Sequence, residues 1–184
     1  TLSWSAGVLA ALSLVLAIGF SRHRLLLLAA VLCALVAARV EASPRALASA
    51  LAFAPPLFLI AALMPEARWR TKRNAGWLLL YAFALLMSLH APGHVLLALD
   101  RFLVGLWPGT DAGRGAMAVT LVAALSCIAR WVWRGATTEL TASLALLTSA
   151  LAFAFWQRPP QALFWLATSG MLIVIGLLHG AYRM

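Results

Sequence analysis

Four histidines, two cysteines and five carboxylates are the side chains of this 184-residue chain whose types could ligate a metal or move protons. Their spacing decides what they can do. The acids Glu41, Glu66, Asp100, Asp111 and Glu139 fall one by one on different polar connectors. No two carboxylates share an apolar run, as a proton-coupled transporter would require. Cys33 and Cys127 both sit within apolar runs, without metal-binding spacing and with no indication of a disulfide. No metalloprotease helix motif, phosphate-cradling glycine loop or nucleophile elbow is present in the sequence. The histidines are the remaining candidates. His90 and His94 stand in LHAPGH, where Pro92 and Gly93 break the helical register between them. His23 and His179 lie near the ends of other apolar runs. Haem b needs an axial ligand on its iron, and His90, His94 and His179 are the possible ligands. A small membrane haem-binding or electron-transfer subunit is therefore the alternative reading of the chain.

The elements that must position these residues are set by composition. The chain is 64% hydrophobic and 10% charged, against roughly 45–50% and 25% in a soluble domain. That excludes a single-core soluble globule and predicts an all-α, polytopic membrane bundle. Seven runs approach the ~17–25 residues that a spanning helix needs. They are Ser3–Phe20, Leu25–Val40, Ala46–Met64, Ala75–Leu89, Gly115–Trp133, Leu140–Trp156 and Gln161–His179. The second and fourth are short, and Arg39 is expected to snorkel to the interface. Pro55-Pro56 is expected to kink the third span. No secretory leader is read at the start.

The net charge of +9 does not point to nucleic acid. The basic residues lie between apolar runs, where they orient helices. With seven spans, Arg22, Arg24, Arg68, Arg70, Lys72, Arg73, Arg130, Arg134 and Arg183 fall on one side, and Arg39, Arg45, Arg101, Arg114 and Arg158 on the other. The richer side faces the cytoplasm, which places the N-terminus outside and the C-terminus inside. All eight tryptophans fall near span ends, as an interfacial belt would.

The longest connector, Ala91 to Arg114, is then outside. Its run His94–Trp107 covers only about 20 Å at ~1.5 Å per residue, too short for a ~30 Å hydrocarbon core. It reads as an amphipathic helix lying in the interface. His90, His94, Asp100, Arg101 and Trp107 form the candidate ligand or signal loop, suited to a small or lipid-like ligand. Gly176 and Gly180 make a GxxxG on the last span, the candidate seam of a homodimer. Gly7 and Ala11 on the first span offer the same spacing.

The tail Gly180-Ala-Tyr-Arg-Met184 leaves the last span without a helix stop. It resembles the junction of bacterial membrane-bound diguanylate cyclases, in which a Tyr-Arg-Met type helix leads into the GGDEF catalytic domain. The likeness covers Tyr182 to Met184 and the multispan layout. It implies that residues 1–180 are a transmembrane sensor and 181–184 the start of a cytoplasmic signalling helix. A GGDEF domain making cyclic di-GMP from GTP would follow, with the protein a dimer in the bacterial inner membrane. This chain has no GGDEF motif, so no catalytic residue is assigned in it.

Overall fold

A computed structural model describes residues 2–20, 23–64, 98, 101 and 112–182. Among the described residues the regular structure is helical throughout: α1 (Leu2–Gly19), α2 (His23–Glu41), α3 (Pro44–Leu63), α4 (Ala112–Arg134), α5 (Thr137–Ala154) and α6 (Pro159–Tyr182). Six of the seven predicted spans fall on these helices, with ends displaced by a few residues. The fourth, at residues 75–89, lies outside the described residues. So do His90, His94, Asp100 and Trp107. Of the expected interfacial run, Ala98 and Arg101 are described; both have helical backbone and are exposed.

Local chemistry fixes the short connections. Ser43 caps α3: its side chain accepts a hydrogen bond from the Ala46 N–H at 3.2 Å, and Pro44 follows at the first helical position. α4 stops at Gly135, whose φ of 63° is the left-handed conformation that ends helices. Its N–H donates to the Trp131 carbonyl at 2.7 Å. Pro55 and Pro56 lie within a single continuous α3.

The helices form a ring in which each packs on the next and α6 returns to α1. α2 reaches furthest inward and also touches α5 and α6. Its sequence explains this, because a helix that is apolar on all sides is a buried one. Leu25, Leu27, Leu28, Val31, Leu32, Leu35 and Val36 are all buried. The rest of the interior is built on small side chains, with Ala6, Ala10, Ala17, Ala123, Ala124, Ala145 and Ala162 at 0–2% exposure. Small residues let helices approach closely where lipid supplies no hydrophobic drive between them.

The outside is as apolar as the inside. Val8, Val15, Ile18, Val122, Leu125, Met171, Ile175 and Leu178 point outward. In water such a surface would be an aggregation liability; in a bilayer it faces lipid. Pro44–Leu63, Gly113–Arg134, Thr137–Ala154 and Pro159–Gly180 are each long and apolar enough to cross a membrane, and Ser3–Gly19 is a shorter apolar helix.

Three expectations are corrected. Arg39 does not snorkel; it is buried at 9% exposure and turns inward. Arg24 is at 1% exposure and is not a connector charge facing solvent. Trp156 is no belt residue: it is buried against Phe153, ring centroids 5.6 Å apart. Trp4, at 79%, and Trp133, at 92%, do face outward.

Candidate functional site

The buried charges gather at two opposite ends of the bundle. At one end stands Arg24, on the first turn of α2, with Glu139, on the first turn of α5. Arg24 Nη1 lies 2.5 Å from Glu139 Oε2, and both side chains are almost wholly enclosed. Arg24 also donates from Nε to the Ala61 carbonyl at 3.1 Å and from Nη2 to the Ala62 carbonyl at 2.6 Å. Arg130, near the end of α4, extends the cluster. Its Nε is 3.9 Å from Glu139 Oε2, and its Nη1 reaches the Leu63 and Met64 carbonyls at 3.4 and 3.3 Å.

This arrangement follows from helix ends. The last carbonyls of α3 have no partner within their own helix and carry its negative dipole end. Two arginines supply the missing donors. Glu139 sits at the positive N-terminal end of α5 and balances one of the two cations. The cluster joins the start of α2, the end of α3, the end of α4 and the start of α5. Cys127, fully buried, packs in the same core.

At the other end, Arg39 on the last turn of α2 lies against Trp156, in the turn between α5 and α6. Arg39 Nη2 donates to the Trp156 carbonyl at 2.7 Å. The guanidinium carbon sits 5.1 Å from the Trp156 ring centroid, a cation–π contact. α4 comes in close here through Gly113: a side chain at that position would meet the Phe153 carbonyl oxygen at 3.1 Å.

Between the two ends, polar contacts cross from α5 to α6 around Ser149 and Ser169. Ser149 and Ser169 hydroxyls are 3.1 Å apart, and both donate to the Ala145 carbonyl.

The glycine seam is placed differently from the expectation. Gly176 faces α5 of the same chain, where any side chain would overlap Thr141, whose Cβ would lie 2.7 Å away. The close approach that Gly176 permits is therefore within the bundle, not to a second copy. Gly180 has open space beyond it, as does Gly7. His179 is exposed on the last turn of α6. Among the described residues no three His, Cys, Asp or Glu side chains converge as a metal-holding group. His23 begins α2, but its side chain lies outside the described set.

Nothing in the spacing of Arg24, Arg130 and Glu139 marks them as a unit. Each reads as an ordinary connector charge. The usable signal was that Arg24 opens an all-apolar helix and Glu139 is the one acid in the first turn of another.

Fold and site together define a helical bundle of membrane-spanning character, with charges enclosed at both ends. No family model, curated protein or solved structure matches the chain.

Proposed function

We propose that this chain is the sensory and dimerisation domain of a bacterial inner-membrane signalling protein. It spans the membrane seven times, N-terminus outside and C-terminus inside. It responds to an external or membrane-derived ligand and controls a cytoplasmic diguanylate cyclase domain. The observation that carries the membrane part is the two-ended placement of enclosed charge in a bundle whose outer surface is apolar. α3 and α4 run parallel, because both end at the Arg24–Glu139 cluster. Parallel neighbours support an odd number of crossings between them, as seven spans require. The cluster end carries Arg24, Arg130 and Arg134, in keeping with a cytoplasmic position. The output part rests on the likeness of Tyr182–Met184 to the cyclase junction. A second copy would meet the outward face of α1 at Gly7 and Ala11.

The test uses the full-length protein in nanodiscs with GTP. The expected result is cyclic di-GMP synthesis whose rate changes when Asp100 and Arg101 are both replaced by alanine. No synthesis would sink the cyclase output. An unchanged rate across ligand conditions would remove the outer loop from signalling.

A further inference from the structure

Arg39 is a cation inside an apolar bundle, and its surroundings do not complete it. No carboxylate among the described residues pairs with it. Its Nη2 is satisfied by the Trp156 carbonyl, but its Nε is buried without an acceptor. Trp156 Nε1, on the ring that Arg39 covers, is likewise buried without an acceptor. Glu41, the nearest acid along α2, is exposed and accepts from the Ser43 hydroxyl at 3.1 Å. Among the described residues, two buried N–H donors on side chains in contact, one of them charged, thus lack an acceptor.

The contrast with the opposite end is informative. Arg24 has the same helix, similar burial and the same kind of end position, yet it meets a carboxylate and two carbonyls. Buried donors in native proteins find partners, and each exception asks for an explanation. A charged group at membrane depth is costly enough that it marks a functional site by default. What is missing at Arg39 is negative charge presented on oxygen.

We propose that Arg39 and Trp156 form a binding site for a phosphate oxygen at the end of the bundle away from the Arg24–Glu139 cluster. Arginine supplies charge and a directed Nε–H, and indole Nε1–H supplies a second donor beside it. The shared chemistry is a phosphoryl anion. A lipid phosphodiester reaches this depth from the headgroup layer, and free inorganic phosphate reaches it from water. The site goes beyond the sensory reading and does not depend on it, because binding is measured on this chain without any output domain.

The experiment places the chain in micelles of a maltoside detergent, which carries no phosphate, and titrates inorganic phosphate at constant ionic strength, with chloride as the control. A second arm adds phosphatidylglycerol to the same micelles without inorganic phosphate. Thermal unfolding and calorimetry are the readouts. The wild type is expected to unfold at a higher temperature in at least one arm, and the arm that responds names the source of the anion. Trp156→Phe leaves an aromatic ring beside the guanidinium but removes the pyrrole ring with its N–H donor, so binding should weaken at least about tenfold, the effect of one charge-assisted hydrogen bond. Arg39→Met should abolish the response. If Arg39→Met fails to fold, Trp156→Phe decides alone. The proposal is overturned by no response in either arm, meaning that an ordered water alone completes the pair. It is equally overturned by a response matched by chloride, or by one that Trp156→Phe leaves unchanged.

Discussion

Arg24 and Glu139 meet at 2.5 Å across the bundle, one from the start of α2 and one from the start of α5, each sealed from solvent. Two helices far apart in sequence are thereby pinned at the same depth. The carbonyls of Ala61 and Ala62 hold the other side of the guanidinium, so the pair also fixes where α3 ends.

Breaking this pair should be severe. Glu139→Ala leaves Arg24 enclosed without its counter-charge, a loss of roughly 3–5 kcal/mol in comparable buried pairs. Replacing both, Arg24→Met with Glu139→Leu, removes the uncompensated charge and should recover much of that loss. Unfolding in a denaturing detergent titration measures both. A double variant as unstable as the single would mean that the α3 carbonyl bonds, not the ion pair, dominate.

Gly176 should behave as an interior position. Gly176→Ala is expected to cost about 1–3 kcal/mol, as overpacking does, because the new methyl overlaps Thr141. Thr141→Gly in the same molecule should restore most of the stability. Gly180→Ala, with open space around it, should be within about 0.5 kcal/mol of the parent. Equal effects at both glycines would contradict the packing described above.

The Ser149–Ser169 contact should be modest. Interhelical hydrogen bonds in membranes average about 0.6 kcal/mol, so Ser169→Ala is expected to lower stability by that order. Ser149→Leu should cost several times more, since Ser149 is at 1% exposure and has no room for the larger side chain. Thermal unfolding of the two variants in one detergent checks the ratio.

The orientation can be read with cysteine variants. Glu41 and Arg134 are both exposed, and they lie at opposite ends of the bundle. In a Cys33→Ala, Cys127→Ala background, Glu41→Cys should react with an impermeant maleimide only from outside. Arg134→Cys should react only from the cytoplasm. Labelling of both from one side would dismantle the seven-span arrangement, and the reverse pattern would invert it.

The helices themselves were written in the sequence. Apolar runs of spanning length can do little but form helices in lipid, because every backbone N–H and C=O must be satisfied within its own segment. That single constraint places α1 to α6 to within a few residues. It also foretells the outward leucines and valines, since the solvent on that side is hydrocarbon. Ser43-Pro44 and Gly135 are local signals, and they mark helix ends for local reasons.

Tertiary structure alone decided which charges are enclosed and what each one meets. Arg24, Arg39 and Arg134 look alike at helix ends in the sequence, yet the first is paired to Glu139, the second rests on Trp156 and the third is exposed. The difference is that α2 reaches inward from the ring and also touches α5 and α6, which draws both of its end arginines inward. Gly176 shows the same limit. Its spacing announces a close helix contact, but whether the partner is Thr141 of the same chain or a second copy depends on which face of α6 turns toward α5. Side-chain periodicity gives a helix its faces; only packing assigns those faces their neighbours.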